Sequence, residues 1–416
     1  MAVYLPAYAL LRQLSRRVRR FKNDRNGMII TPSRRIERVA PPGARVVAMT
    51  FDGGPMKLPG QPDETGGVGL TEFILSELAE FGARGTFIVI GSTEENYPDE
   101  PGELGTQYVF GKGYDHFAAF GLDDMAGAKA CPELVRKIAR EGHELANHTY
   151  RHVLYGKSRL TYGSRATVKN LSEAVTDLNR LHGLIYKLTR QEMRFMRPPF
   201  YVDKMPDGHT AYDACESMGY HYLAASTDSD VILPSCGDFD EDVERLVRPL
   251  REALEYDANS LAGHIISHRD GYNLSMLTPV AKALPLQLQL LYSYGYRVVT
   301  VSELLERSPF EDVRPSNNCF EAVRELDKAG FATGFRNNRF YPGREMTKRE
   351  LPVVFSLPGG EKQSGVRIDR SEKLTVKSLT TYADGVFEKT SGQPMSVKRG
   401  DVAIWLHSLA CLNGYC

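Results

Sequence analysis

His148 and His152 stand four residues apart at the end of Glu141-Gly142-His143-Glu144-Leu145-Ala146-Asn147-His148-Thr149-Tyr150-Arg151-His152. That spacing can put both imidazoles on one side of a helical turn, where they could share a metal ion. Such pairs also serve as capping or core residues, so the spacing leaves both readings open. Asp52 follows the apolar run 45–51 and precedes Gly53-Gly54-Pro55. A carboxylate there is solvent-reachable and suits a general base or a metal ligand, while Asp-Gly is also a common turn pair. Arg197 opens the rigid loop Arg197-Pro198-Pro199-Phe200, where it either holds a carboxylate or sits in a surface ion pair. His268 ends the run Ile265-Ile266-Ser267-His268, and Thr227-Asp228-Ser229-Asp230 adds two carboxylates. Imidazoles, carboxylates and an arginine at such places could serve acid–base or metal chemistry.

These residues need elements that hold them together. Residues 44–310 alternate between strand-like and helix-like patterns. Residues 45–51 are a β-branched run, and 70–81 carry apolar positions at helical spacing (Phe73, Ile74, Leu78, Phe81) that Gly82 stops. Strands are expected over 85–90, 144–146, 220–225, 260–267 and 296–301, and helices over 132–140 and 168–188. Alternation of this kind implies an α/β fold with a parallel sheet, open or closed into a barrel. Chemistry then sits at the carboxyl ends of the strands, where Asp52, His148 and Arg197 fall. Residues 92–130 form a long insertion rich in Gly, Pro, Asp and aromatic residues, of the length of a binding loop or lid.

The chain has 416 residues, 42% of them apolar and 25% charged, enough for two domains and a large core. Lys+Arg and Asp+Glu are both 52, so no global charge points to nucleic acid. Locally, residues 12–35 contain Arg12, Arg16, Arg17, Arg19, Arg20, Lys22, Arg25, Arg34 and Arg35, near Leu5, Leu10, Leu11, Leu14 and Val18. This is either a solvated basic arm or an amphipathic helix in peripheral contact with an anionic membrane. No secretory signal is expected, because the charges follow the apolar stretch 2–11 instead of preceding it. The six cysteines (131, 215, 236, 319, 411, 416) form no Cys-x-x-Cys pair and read as buried or free thiols.

Taken in order, these clusters resemble the motif series of the polysaccharide deacetylase family, over residues 42–308. The resemblance implies a distorted (β/α) barrel and removal of acyl groups from N-acetylated amino sugars of a cell-wall or related polysaccharide. It implies a divalent metal, with zinc the first choice, on His148, His152 and a carboxylate. Asp52 matches the family's catalytic base, which Arg197 holds. Phe200 matches a Tyr whose backbone N–H helps form the oxyanion hole, with Tyr201 next to it. His268 matches the acid that protonates the leaving amine, partnered by Asp228 or Asp230, while His264 is structural. The chain departs from the pattern at Gly53, where the family has a metal-binding Asp. Either Asp52 is itself the third ligand, or Asp115 or Asp124 of the insertion supplies one, or metal is weak or absent. Thr227–Asp230 is one residue short of the family's acidic motif and lacks its Trp.

Residues 309–416 differ in character. Residues 310–355 resemble one surface-layer homology repeat, with a helix over 319–329 and Met346-Thr347-Lys348-Arg349-Glu350, and 374–406 carry a weaker echo. This implies a small, mainly α-helical domain that binds cell-wall polysaccharide, where the family usually has three repeats. The expected organisation is a basic segment (1–41), a catalytic domain (42–308, with the insertion at 92–130) and this domain (309–416). Two alternatives accompany the deacetylase reading. One is a metal-free or altered amide hydrolase acting on a small molecule. The other is an inactive carbohydrate-binding or wall-associated protein. The resemblance favours the cell surface, the missing signal and scattered cysteines the cytoplasm.

Overall fold

The computed structural model describes residues 29–92, 125–156, 167–228, 235–273, 277–330, 332, 334–346, 354, 366–367 and 398–412. The basic stretch 12–25, Asp115, Asp124 and Asp230 lie outside the described residues. The chain divides into two compact units. The larger runs from Ile36 to Arg307, and the other takes the described residues before Ile36 together with those from Ser308 on.

In chain order the strands are β1 (Ile29–Ile30), β2 (Arg35–Ile36), β3 (Val46–Asp52), β4 (Thr86–Val89), β5 (Glu144–Asn147), β6 (Phe195–Met196), β7 (His221–Leu223), β8 (Thr227–Asp228), β9 (Ile265–Arg269), β10 (Arg297–Val299) and β11 (Val366–Arg367). The helices of the larger unit are α1 (Leu70–Glu80), α2 (Gly127–Ala130), α3 (Pro132–Arg140), α4 (Leu171–Thr189), α5 (Ala211–Met218), α6 (Phe239–Tyr256), α7 (Pro279–Ser293) and α8 (Val301–Arg307).

Nine strands form one sheet in the order β2-β7-β6-β5-β4-β3-β9-β8, and β10 pairs the start of β3. The pairs from β3 outward to β7 and β8 are parallel. With helices packed around it, this sheet is the α/β half-barrel expected of the distorted (β/α) barrel. β3 is buried from Val46 to Phe51, as a central parallel strand covered on both faces must be. Its side chains alternate. Val47, Met49 and Phe51 share a core with Leu70 and Ile74 of α1 and Leu284 and Leu288 of α7. Val46 and Ala48 share a second core with Ile88, Ala146, Phe195, Leu223 and Ile265, one residue from each of five strands. The first core is the helix side of the sheet and the second its inner side. By period two, Thr50 and Asp52 fall on the inner side.

Capping chemistry sets the helix limits. Pro132 opens α3, and the Asn170 side chain accepts from the Glu173 N–H to start α4. Thr210 and Asp213 form a reciprocal cap on α5, and Gly219 closes it in the left-handed region. The strand expected over 260–267 begins only at Ile265, because 257–263 turns back on itself and Gly263 has φ 82°.

The second unit pairs β1 with β11 antiparallel and carries two described helices, α9 (Phe320–Lys328) and α10 (Arg399–Leu412). Phe310, Phe320, Phe335, Phe340, Val402 and Leu406 form its core. Arg399 is buried over the rings of Phe335 and Phe340, at 4.6 and 4.7 Å from their centroids. Cys131, Cys215, Cys236 and Cys319 are free thiols, whereas Cys411 is disulfide-bonded, contrary to the expectation of isolated thiols throughout.

Candidate functional site

One pocket collects most of the singled-out residues. Asp52, Gly53, His148, His152, Arg197, Pro198, Phe200, Tyr201, Ser267, His268 and Arg269 line it at the carboxyl ends of β3, β5, β6 and β9. Arg197 is 1% exposed and Asp52 is 23% exposed. Arg197 Nη1 donates to Asp52 Oδ1 at 2.5 Å and to Thr50 Oγ1 at 3.0 Å. Its Nε and Nη2 donate to the carbonyls of Leu223 and Ala224. The contact with Asp52 therefore runs through Nη1, while Nε and Nη2 anchor the guanidinium to the end of β7. A guanidinium so fixed holds the carboxylate at one place on the inner face.

The two histidines reach the pocket by a route other than the one their spacing suggested. The segment after β5 is not a helical turn, because Thr149 has φ 71° and His152 φ 50°. Positive φ at a β-branched residue is strained and persists only where surroundings fix it. Asp177 of α4 does this by accepting from the Tyr150 N–H at 2.6 Å and from Arg151 Nε at 2.8 Å. Asn147 helps by accepting from the Thr149 N–H. The imidazoles of His148 and His152 end with centroids 5.0 Å apart. His148 Nδ1 lies 2.7 Å from the Arg197 carbonyl, which can only accept, so Nδ1 carries the proton and Nε2 the lone pair. Burial, then the neighbouring His152, Arg197 and Arg269, hold the His148 ring well below its usual pKa, against the opposing pull of the Arg197 carbonyl.

His268 is not where the expectation put it. Ile265 belongs to the inner core and Ile266 to the helix-side core, so His268 points to the helices. Its ring stacks on Phe51 at 5.2 Å, and its Nε2 lies 2.7 Å from Gln287 Oε1 of α7. Gln287 Nε2 donates to the Leu246 carbonyl, which fixes the amide orientation and makes His268 Nε2 the donor. Burial pushes the ring down to about 4. The residue borders the pocket, but its ring belongs to the helix-side core, held there by Gln287 and Phe51. Among the described residues the partner of its Nε2 is Gln287. The backbone of Asp228 pairs with Ser267, and Asp230 lies outside the described residues. His264 bonds Thr227 Oγ1 at 3.4 Å, in keeping with a structural role.

Phe200 lies in a tight turn after the two prolines, with φ 54° and Tyr201 at φ 56°. Pro198 and Pro199 carbonyls accept from the N–H groups of Tyr201 and Val202. Sequence reasoning passed over two residues. Arg269 is next to His268 and on the inner side, directly across from Asp52 in the strand register. Asp270 is buried, takes the Thr71 hydroxyl at 2.7–2.8 Å and is pushed up to about 7 by desolvation. A Cβ on Gly54 would meet Asp270 Oδ2 at 1.9 Å, so the second glycine of the turn is needed to seat this carboxyl.

The donor set of the described residues falls short of a metal centre. Among the described residues no three His, Cys, Asp or Glu side chains are grouped to hold an ion. Two imidazoles are present, Gly53 offers no side-chain ligand, and Asp52 is engaged by Arg197.

Residues 40–222 match the family model described as polysaccharide deacetylase. The matched stretch is similar to this family, whose members hydrolyse carbon–nitrogen amide bonds. A peptidoglycan-N-acetylglucosamine deacetylase of Bacillus cereus is 24% identical over 267 residues, covering 64% of this chain and 90% of that protein. Among solved structures, the chitin deacetylase of the fungal pathogen Colletotrichum lindemuthianum is 19% identical with a TM-score of 0.42, covering 65% of this chain and 90% of that one. A CE4 family pseudoenzyme from Bacillus anthracis is 15% identical with a TM-score of 0.41, covering 66% and 70%.

Proposed function

We propose that the pocket takes an N-acylated amino sugar of a wall-type polysaccharide and hydrolyses its amide bond as an altered member of the family, without a resident metal. The observation that carries this reading is the Asp52–Arg197 pair facing His148 and His152 in one pocket. Asp52 is the base. As water's oxygen bonds to the acyl carbon, its O–H breaks and the proton passes to Asp52. As the C–N bond breaks, the same proton passes to the leaving nitrogen, so one carboxyl serves both steps. His148 Nε2 and His152 accept hydrogen bonds from the water or the sugar. The Phe200 N–H is the candidate oxyanion donor. The metal dependence that the resemblance implies lacks a third ligand among the described residues, so no step is routed through an ion.

A second reading, a carbohydrate-binding protein without turnover, is favoured by the missing carboxylate at Gly53 and by the turned-away His268. Acetate release from N-acetylglucosamine oligomers, measured in chelator for wild type and Asp52→Asn, separates the two. Release lost in the variant supports hydrolysis, and binding without release in wild type supports the second reading. In the same scheme the second unit, whose residues resemble a surface-layer repeat, would hold the protein on wall polysaccharide. Retention of residues 308–416 on purified walls, or its failure, decides that part.

A further inference from the structure

We propose that Arg269 supplies the positive charge of this pocket in place of a metal ion, and that it holds the acyl oxygen of the ligand. The inference rests on the amino-sugar reading for its ligand, but its charge argument stands on the pocket alone. Three observations carry it. Arg269 follows Ile265 and Ser267 at period two on β9, which puts it on the inner side with Asp52. It pairs in register with Asp52 itself. It lines the same pocket as His148 and His152.

A divalent ion on these two imidazoles would share its pocket with the Arg269 guanidinium and be repelled by it. Gly53 removes the carboxylate that would offset it. The two features act together: one takes away a negative ligand and the other adds a fixed cation. A guanidinium can still do part of what an ion does, since its planar donors hold a carbonyl or carboxylate oxygen and polarise it. The half-buried setting strengthens that interaction relative to water. No covalent step is changed. Water still loses its proton to Asp52, and the developing oxyanion is met by Arg269.

Zinc titration of the metal-stripped full chain, read by a competing chromogenic chelator, tests the charge argument without any assay of activity. Wild type is expected to take up no stoichiometric zinc at micromolar concentration. Arg269→Gln, which removes the charge, should bind zinc roughly tenfold more tightly, as expected from like-charge relief of about 1.4 kcal/mol near a protein surface. Arg269→Lys, which keeps the charge, should behave as wild type. Tight zinc in wild type, or no gain in a folded Arg269→Gln, overturns the proposal. Calorimetry with an N-acetylglucosamine tetramer in chelator tests the ligand. Wild type and Arg269→Lys should bind, and Arg269→Gln should lose about tenfold or more. If the tetramer binds none of the three, the amino-sugar reading falls and the role of Arg269 toward the acyl oxygen falls with it, whereas the zinc result still decides the charge argument. Binding in wild type that persists unchanged in Arg269→Gln sinks the acyl-oxygen role alone.

Discussion

Gly53→Asp puts a carboxylate back at the position where the histidine pair lacks one. The backbone has room for it, since a Cβ there would meet nothing closer than the Asp270 carbonyl at 3.8 Å. The conformation resists it, because Gly53 has φ 98°, outside the range that side chains adopt without strain. That strain costs about 1–3 kcal/mol of stability. Against it stands ligation. A complete four-ligand zinc site is worth about 10–16 kcal/mol, so one further ligand contributes about 3 kcal/mol, or roughly a hundredfold in affinity. Strain is present with and without zinc, so it lowers stability and leaves the gain in affinity intact. Arg269, unchanged in this variant, reduces the gain, and Arg269→Gln in the same chain should restore it.

The assay pairs two measurements on metal-stripped protein: zinc affinity by chelator competition, and urea unfolding with and without zinc. Gly53→Asn is the control, matching the backbone strain without adding a charged ligand. The expected result is equal destabilisation of both variants in chelator, with zinc rescuing Gly53→Asp alone. If Gly53→Asp folds as Gly53→Asn does and binds zinc no better, the position does not face His148 and His152, and the account of an incomplete donor set is wrong.

Other outcomes follow from the same geometry. His268→Ala removes a hydrogen bond to Gln287 and a ring from beside Phe51, so unfolding free energy should fall by about 2–4 kcal/mol. Turnover per folded molecule should then hold, whereas a catalytic acid would lose about 10²–10⁴-fold, and that loss would reverse the assignment. Asp177→Ala leaves the Tyr150 N–H and Arg151 Nε without their acceptor, while Glu173 still takes Arg151 Nη2, which should cost about 1–3 kcal/mol and loosen the His148–His152 segment; unchanged stability would mean the loop is held by other contacts. Asp270 gives a pH test. Its folded pKa is raised to about 7 from 3.8, so the native state holds a proton that the unfolded chain has released between those values. Its contribution to stability is complete only below 3.8 and falls as pH rises to about 7. Asp270→Asn removes this dependence, and its stability relative to wild type should improve by up to about 4 kcal/mol from pH 4 to pH 8. His143 and His268, both pushed down to about 4, lose stability in the opposite direction as pH falls below 6.5, but equally in both proteins. A flat difference between the two proteins would mean that Asp270 is ionised in the fold.

Much of the domain was readable because its signals are local. The helix at 132–140 agrees with α3 at both ends, Pro132 starting it, and the strand at 45–51 lies one residue before β3 at each end. Asp52, His148, His152 and Arg197 were legible since each follows an apolar run in a parallel sheet, where strand ends gather. The helices α5, α6 and α7 were passed over. In α6 the charged residues outnumber the buried ones, and α7 carries Pro285 within it. The turn at His148–His152 was misread because helical spacing and a loop with two left-handed residues can bring the same side chains together.

The error at His268 has a different origin, and it bears on function. A strand buried on both faces has no alternation of apolar and polar residues, so Ile265-Ile266-Ser267-His268-Arg269 does not reveal which residues look inward. A reading one residue out moves every side chain to the other face. Only the partner strands resolve it, through Ile265 in the inner core and Phe51 against His268. One sequence signal did exist: Gln287 sits among leucines on a buried helix face, and a buried amide there requires a polar partner. Once that partner is His268, the inward position at the end of β9 falls to Arg269. A guanidinium at that place adds a group that repels a cation, and glycine at position 53 offers no carboxylate to favour one. The departures at both positions therefore act in the same direction, on the charge of one pocket, and have to be tested together.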